Sequence, residues 1–256
     1  MDILWLEQST DDVPTSDDWL SPAEKLRLDA MRFPKRRADW RLGRWTAKRV
    51  VSAYLCRPCV PDRLSVIEIR SARSGAPEAF FENEPAGVSI SITHRVGIAA
   101  CAVAPSDTMI GCDLELIELR SDAFLADYFT TSEQALVQGV SDAEQIVVST
   151  LLWSAKESAL KALKMGLRFD TRSVEVSFGE PSPAAPTEFL KGRAQSSFSD
   201  APLDGGDWRP LTVTHANGRA FRGWWLSTGE LVRTVVTAPS SGAPRMLSAF
   251  LRSRVA

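Results

Sequence analysis

A chain of 256 residues, 44% hydrophobic and 24% charged, has the material for one large or two ordinary domains and is too apolar to be disordered. Its formal net charge of −2 excludes a bulk nucleic-acid binder. No run is apolar enough to span a bilayer, and the start Met-Asp-Ile-Leu-Trp-Leu-Glu lacks the basic and apolar regions of a secretory signal. A cytoplasmic protein with no membrane contact is therefore expected.

In chain order, residues 1–7 alternate loosely and predict a strand. Ser21-Pro22-Ala23-Glu24 is a capping box with proline at the first helical position, which starts a helix. Pro34 opens a second helix to about residue 55. Trp40, Gly43, Ala47, Val50, Val51 and Tyr54 form its apolar stripe, and Arg37, Arg41, Arg44 and Lys48 its basic one. A solvated face and a site for a discrete anionic ligand both fit that basic stripe. Cys56 and Cys59 form an isolated C-x-x-C with no second pair and no neighbouring histidine, which argues against zinc.

Strands are predicted at 64–69, 88–93, 96–104 and 109–116, with a polar loop over 73–85. Thr130-Thr131-Ser132-Glu133 and Ser141-Asp142-Ala143-Glu144 are further capping boxes; the second opens a long helix that Gly166 should end. More strands are expected at 174–178, 211–214 and 224–238, with Pro/Gly/Asp-rich loops at 179–187 and 199–207. From Ser240 onward the expectation is a linker and a short helix.

Trp45-Thr46-Ala47-Lys48 in the first long helix echoes Trp153-Ser154-Ala155-Lys156 in the later one. With the matching order of elements, this suggests an α+β fold of two similar halves in a pseudo-twofold arrangement, with a ligand site at their interface. The expected division is an N-terminal half at 1–106, a C-terminal half at 107–240 and a tail at 241–256.

The chemistry concentrates in two segments. Gly111-Cys112-Asp113-Leu114-Glu115 places two acids on one face of an apolar strand, where like charges are costly unless water or a cation compensates. Glu157 and Lys161 lie four apart on the long helix and share a face, as a surface ion pair or as part of a site. Three carboxylates without histidine or cysteine favour Mg²⁺, and an adjacent lysine suits phosphate. The chain thus reads as a metal-dependent enzyme acting on a phosphorylated substrate.

G-x-D-x-E followed some forty residues later by Trp153-Ser154-Ala155-Lys156-Glu157-Ser158-Ala159-Leu160-Lys161 resembles the 4′-phosphopantetheinyl transferases, most closely the two-domain type that activates peptide and polyketide synthases. Ser91-Ile92-Thr93-His94 is similar to that family's S-x-S-H segment, Tyr128 to Glu133 to its F-x-x-x-E segment, and Trp40 to Lys48 to its first-half helix. The resemblance implies transfer of phosphopantetheine from coenzyme A to a serine of an apo acyl or peptidyl carrier protein, by a monomer, with release of adenosine 3′,5′-bisphosphate. It implies that Asp113, Glu115 and Glu157 hold Mg²⁺. Glu157 is the candidate base, directly or through a metal-held water, and Lys161 neutralises phosphate charge. Coenzyme A would be held by Arg37, Arg44, Lys48, Thr93 and His94, with Asp113 and Lys161 at its pyrophosphate. It also implies that the carrier docks on 117–138, where Phe124, Tyr128 and Phe129 offer apolar contacts. The family's G-K-P is here Gly75-Ala76-Pro77, so another cation, Arg73 or the Arg36/Arg37 pair, must replace that lysine. The alternatives are a metal-dependent nuclease, whose usual E-x-K spacing is absent, and a non-catalytic carrier-binding module, which would not need the acids.

Overall fold

The computed structural model describes residues 3–165, 169–178 and 208–247. It opens with β1 (Leu4–Ser9), α1 (Pro22–Asp29), α2 (Pro34–Tyr54) and a single turn, α3 (Pro61–Leu64). Then come β2 (Ile67–Ser71), β3 (Pro77–Phe81), β4 (Glu84–Pro85), β5 (Val88–Arg95), β6 (Ile98–Pro105) and β7 (Met109–Leu116). Three helices follow, α4 (Asp122–Tyr128), α5 (Thr131–Gln138) and α6 (Asp142–Ala162). The chain continues through β8 (Val174–Ser177), β9 (Arg209–His215), β10 (Ala220–Thr228), β11 (Leu231–Ala238) and β12 (Arg245–Met246). The fold is mixed α+β, as expected.

Two sheets carry the architecture, in the orders β12-β1-β6-β5 and β7-β11-β10-β9-β8; β2-β3-β4 form a small third sheet. Helix α2 buries Trp45, Ala47, Val50 and Val51 in a core with Leu4, Leu6, Cys101 and Val103 of the first sheet. Helix α6 buries Leu152, Ala155 and Ala159 in a core with Val213, Phe221 and Val232 of the second. A third cluster joins the two sheets through Trp5, Ala100, Ala102, Cys112 and Val235. Alanine on β6 keeps this layer thin. The buried pair of Glu7 on β1 with Arg233 on β11 also ties the sheets.

Several boundaries differ from expectation. The stretch 73–85 is not all loop: β3 and β4 form a hairpin whose turn residues, Glu82 and Asn83, both have positive φ (51° and 69°), as a two-residue primed turn requires. The strand predicted at 64–69 starts at Ile67, because Pro61 opens a helical turn just before it. Helix α6 ends at Ala162, earlier than Gly166, which lies outside the described residues, as do both predicted Pro/Gly/Asp-rich loops. The segment after Ser240 is not merely a linker: β12 pairs in parallel with Leu4 and Trp5 of β1.

The Trp-x-Ala-Lys echo has a physical content. Lys48 and Lys156 are both fully buried. Each pairs with the glutamate of a capping box, Lys48 with Glu24 and Lys156 with Glu133, the latter at 2.7 Å. Lys48 Nζ also donates to the carbonyls of Trp19 and Leu64, and Lys156 Nζ to those of Thr171 and Val174. The second oxygen of each glutamate accepts a strand N–H, from Ile69 for Glu24 and from Val176 for Glu133. One device thus occurs twice: a helix-capping acid, a buried lysine and a strand held in one network. Burial pushes both ammonium groups below their usual pKa, against the pull of the paired glutamates.

Removing one partner of such a pair leaves a buried charge uncompensated, at a cost of about 3–5 kcal/mol. Glu133→Leu is therefore expected to lower the urea-unfolding free energy by about that amount, and the double change Glu133→Leu with Lys156→Met to recover much of it. Equal loss in the single and double variants would contradict this.

Candidate metal centre and cleft

The site begins with a close approach. A Cβ on Gly111 would lie 1.8 Å from the carbonyl oxygen of Ser158 and 2.7 Å from the nitrogen of Ala162, so β7 crosses α6 backbone to backbone at this residue. Behind the crossing, the hydroxyls of Ser154 and Ser158 bond Thr234 Oγ1 on β11 at 2.9 and 2.7 Å. Thr234 is itself the register partner of Asp113. The crossing sets Asp113 and Glu115, two apart on the strand, against Glu157 and Lys161, one turn apart on the helix.

One ligand oxygen from each of Asp113, Glu115 and Glu157 lies within 4.8 Å of the other two. Asp113 Oδ1 accepts from Lys161 Nζ at 2.6 Å and Thr93 Oγ1 at 3.0 Å. Asp113 Oδ2 is buried with no hydrogen-bond partner. Glu157 Oε2 lies 3.7 Å from Lys161 Nζ, which also donates to the Cys112 carbonyl at 3.1 Å. Glu115 Oε2 sits between Arg95 Nε (3.6 Å) and Arg120 Nη2 (3.4 Å), and both arginines also hold Glu118.

The electrostatics follow from this crowding. Burial, then the charge of Asp113, pushes the Glu157 carboxyl up to about 7, against the pull of Lys161. Burial and Asp113 also raise Glu115, while Arg95 and Arg120 oppose the rise. Burial disfavours the charge on Lys161, but Asp113 and Glu157 outweigh it and hold the ammonium above its usual range. A buried carboxylate oxygen without a donor, three oxygen ligands and mutual repulsion are the properties of a hard-cation site, and they fit Mg²⁺.

Two cavities bring further residues into play; the three acids line neither, and Lys161 lines one of them. One, of about 600 Å³, is lined by Lys35, Arg36, Arg44 and His94 with Phe33 and Trp40. The other, of about 550 Å³, includes Lys161 and Lys164 in its wall. Gly75, Pro77 and Ile92 line both, so the two cavities share part of one wall. Arg44 stacks over Trp40 at 4.7 Å, and the buried Nε of Arg44 and Nε1 of Trp40 have no hydrogen-bond partner. Burial pulls Arg44 down to about 10, so it remains charged at neutral pH. His94 Nε2 lies 4.0 Å from Asp39 Oδ2.

The basic stripe therefore divides. Lys48 is fully buried with its charge committed to Glu24, and it does not line the basic cavity. Arg37 does not line the basic cavity, because its guanidinium caps the end of α1 at the carbonyls of Leu28 and Met31. Arg41 is likewise taken by Asp17 and the Pro14 carbonyl. Arg44 and His94 do meet in the cavity, where Arg36 joins them and Arg73 does not. Lys35, Arg95 and Arg120 escaped sequence reasoning. Lys35 adjoins Arg36 at the start of α2 and could have been read with it; the two arginines carry no motif. Thr93 is placed to orient Asp113.

With this geometry in place, the comparison with known families is specific. Residues 109–214 match the model of the 4′-phosphopantetheinyl transferase superfamily, and that span holds all three acids and Lys161. No curated protein matches the chain.

Because the metal-free acids repel, Glu157→Gln is expected to raise the melting temperature without metal and to abolish the stabilisation that Mg²⁺ gives the wild type. An unchanged Mg²⁺ shift in the variant would remove Glu157 from the site. The Glu157 carboxyl has a folded pKa above its unfolded one. Its contribution to stability is thus complete below the ordinary carboxylate range and is lost as pH rises through about 7. Mg²⁺ must displace that proton, so its affinity should climb from pH 5.5 to 7 and level off above; calorimetric titration across pH checks this.

Proposed function

We propose that the protein transfers 4′-phosphopantetheine from coenzyme A to a serine of an apo acyl or peptidyl carrier protein, releasing adenosine 3′,5′-bisphosphate. The observation that carries this reading is the acid cluster held against Lys161, a residue that lines one cavity, with a second cavity of cationic wall sharing Gly75, Pro77 and Ile92 with the first. Asp113, Glu115 and Glu157 would hold Mg²⁺, which when bound supplies charge neutralisation on the pyrophosphate. Thr93 and Lys161 orient Asp113, and Arg95 and Arg120 orient Glu115.

The basic cavity with Arg44, His94, Lys35 and Arg36 receives the 3′-phosphate end of coenzyme A, with Lys35 and Arg36 supplying the charge that Ala76 lacks. The carrier serine oxygen bonds to the phosphorus that bears pantetheine, and the bond from that phosphorus to the bridging oxygen breaks. The departing bisphosphate takes the electron pair. Glu157 accepts the serine proton, and Lys161 balances charge growing on the phosphate oxygens. The reading places the protein in the cytoplasm as a monomer, its first half (1–106) supplying the basic cavity and its second (107–240) the acids. Among the described residues no helix is long and apolar enough to cross a membrane.

The carrier-docking reading narrows. Phe129 is buried in the core and Phe124 packs against Trp153, whereas Leu119 and Tyr128 are exposed. Docking therefore falls to Leu119 and Tyr128.

Incubation with Mg²⁺, coenzyme A and apo carrier proteins should give a pantetheine-sized mass gain on a carrier, and Asp113→Ala should abolish it while keeping the fold. No gain across acyl and peptidyl carriers would overturn the reading. Leu119→Asp should raise KM for the carrier about tenfold and leave KM for coenzyme A unchanged; equal carrier KM values would remove this docking surface.

A further inference from the structure

The C-terminus of α6 holds a backbone outlier beside the cleft. Lys164 has φ +57°, the left-handed region that glycine adopts without strain and lysine does not. The turn is a Schellman closure: the Lys164 N–H donates to the Lys161 carbonyl at 2.9 Å, and the Met165 N–H to the Leu160 carbonyl at 3.0 Å. Glycine would close the same turn more easily, so the fold itself does not call for lysine here. Strain kept at a cleft wall points to the side chain.

That side chain lines the cavity of about 550 Å³ together with Lys161. The two lysines differ in what their charge already does. Lys161 is committed to Asp113 and the Cys112 carbonyl. Lys164 is exposed and, among the described residues, forms no ion pair. Of the two ammonium groups, Lys164 is the one whose charge is available to a ligand. A cavity wall with one committed and one available cation suits an anion carrying more than one charge.

We infer that Lys164 is a phosphate-binding residue of the cleft, its ammonium engaging the pyrophosphate of coenzyme A beside Lys161. The inference rests on the transferase reading and adds to it a residue at a position where the backbone favours glycine. A purely structural lysine at this place would act on the helix dipole alone, which affects stability and not ligand affinity.

Calorimetric titration of coenzyme A into the full chain with Mg²⁺, at two salt concentrations, separates these roles. Lys164→Gly, which relieves the left-handed strain and preserves the turn, is expected to bind coenzyme A about tenfold more weakly and with a shallower salt dependence. Lys164→Arg is expected to bind as the wild type does. Wild-type affinity in Lys164→Gly, alongside weakened binding in Arg44→Ala, would overturn the inference and leave the transferase reading standing. So would weak binding that Lys164→Arg fails to restore, since the loss would then come from the turn. A wild type that does not bind coenzyme A would overturn both.

Discussion

The site depends on the crossing of α6 over β7 at Gly111. Any side chain there would occupy the space of the Ser158 carbonyl. With hydrogen in its place, helix and strand backbones touch, and carboxylates two apart on one element meet a carboxylate and an ammonium one turn apart on the other. The serines of α6 bonded to Thr234 hold the helix in register against the neighbouring strand. The closeness that makes the site also makes it repulsive. Lys161 answers one acid, two arginines answer another, and Glu157 is left with a carboxyl near neutrality. What remains unanswered is one buried oxygen of Asp113, which is where a cation has most to gain.

Helices α2 and α6 share a locking device and differ in their chemistry. Each is held to a neighbouring strand through a buried lysine and a capping glutamate. On α6 the residue after that lysine is Glu157, which faces the acids of β7. On α2 it is Arg49, packed over Trp45. The repeated device therefore presents a carboxylate on one helix only, and the other contributes cations through Arg44, Lys35 and Arg36, which line a cavity with His94. Acids beside Lys161 and a separate group of cations match a ligand whose phosphates lie apart, with a metal at one of them.

Much of this was legible in the sequence because the signals are local. The capping boxes at Ser21, Thr130 and Ser141 begin the helices they predict. Alternation in β5 and the nearly continuous apolar run of β6 mark central strands, and the spacing of Asp113 with Glu115 and of Glu157 with Lys161 fixes shared faces. What could not be read depends on partners far along the chain. Helical periodicity puts Arg37, Arg44 and Lys48 near one another, yet the acid that claims Lys48 belongs to α1 and the carbonyls that claim Arg37 lie at its end. The β3–β4 hairpin was hidden because its strands are short, β3 opens on proline and its turn carries Glu82-Asn83 without glycine. The pairing of β12 with β1 brings together two ends of the chain, which no local pattern records.

The most direct measurement is anomalous diffraction from crystals grown with Mn²⁺ in place of Mg²⁺ and with coenzyme A. The account predicts one strong manganese peak within bonding distance of Asp113 Oδ2 and of a Glu157 oxygen, with the pyrophosphate beside Lys161 and the 3′-phosphate between Arg44 and His94. A peak remote from these acids, or coenzyme A bound with its phosphates away from Lys161 and from Arg44 and His94, would contradict it.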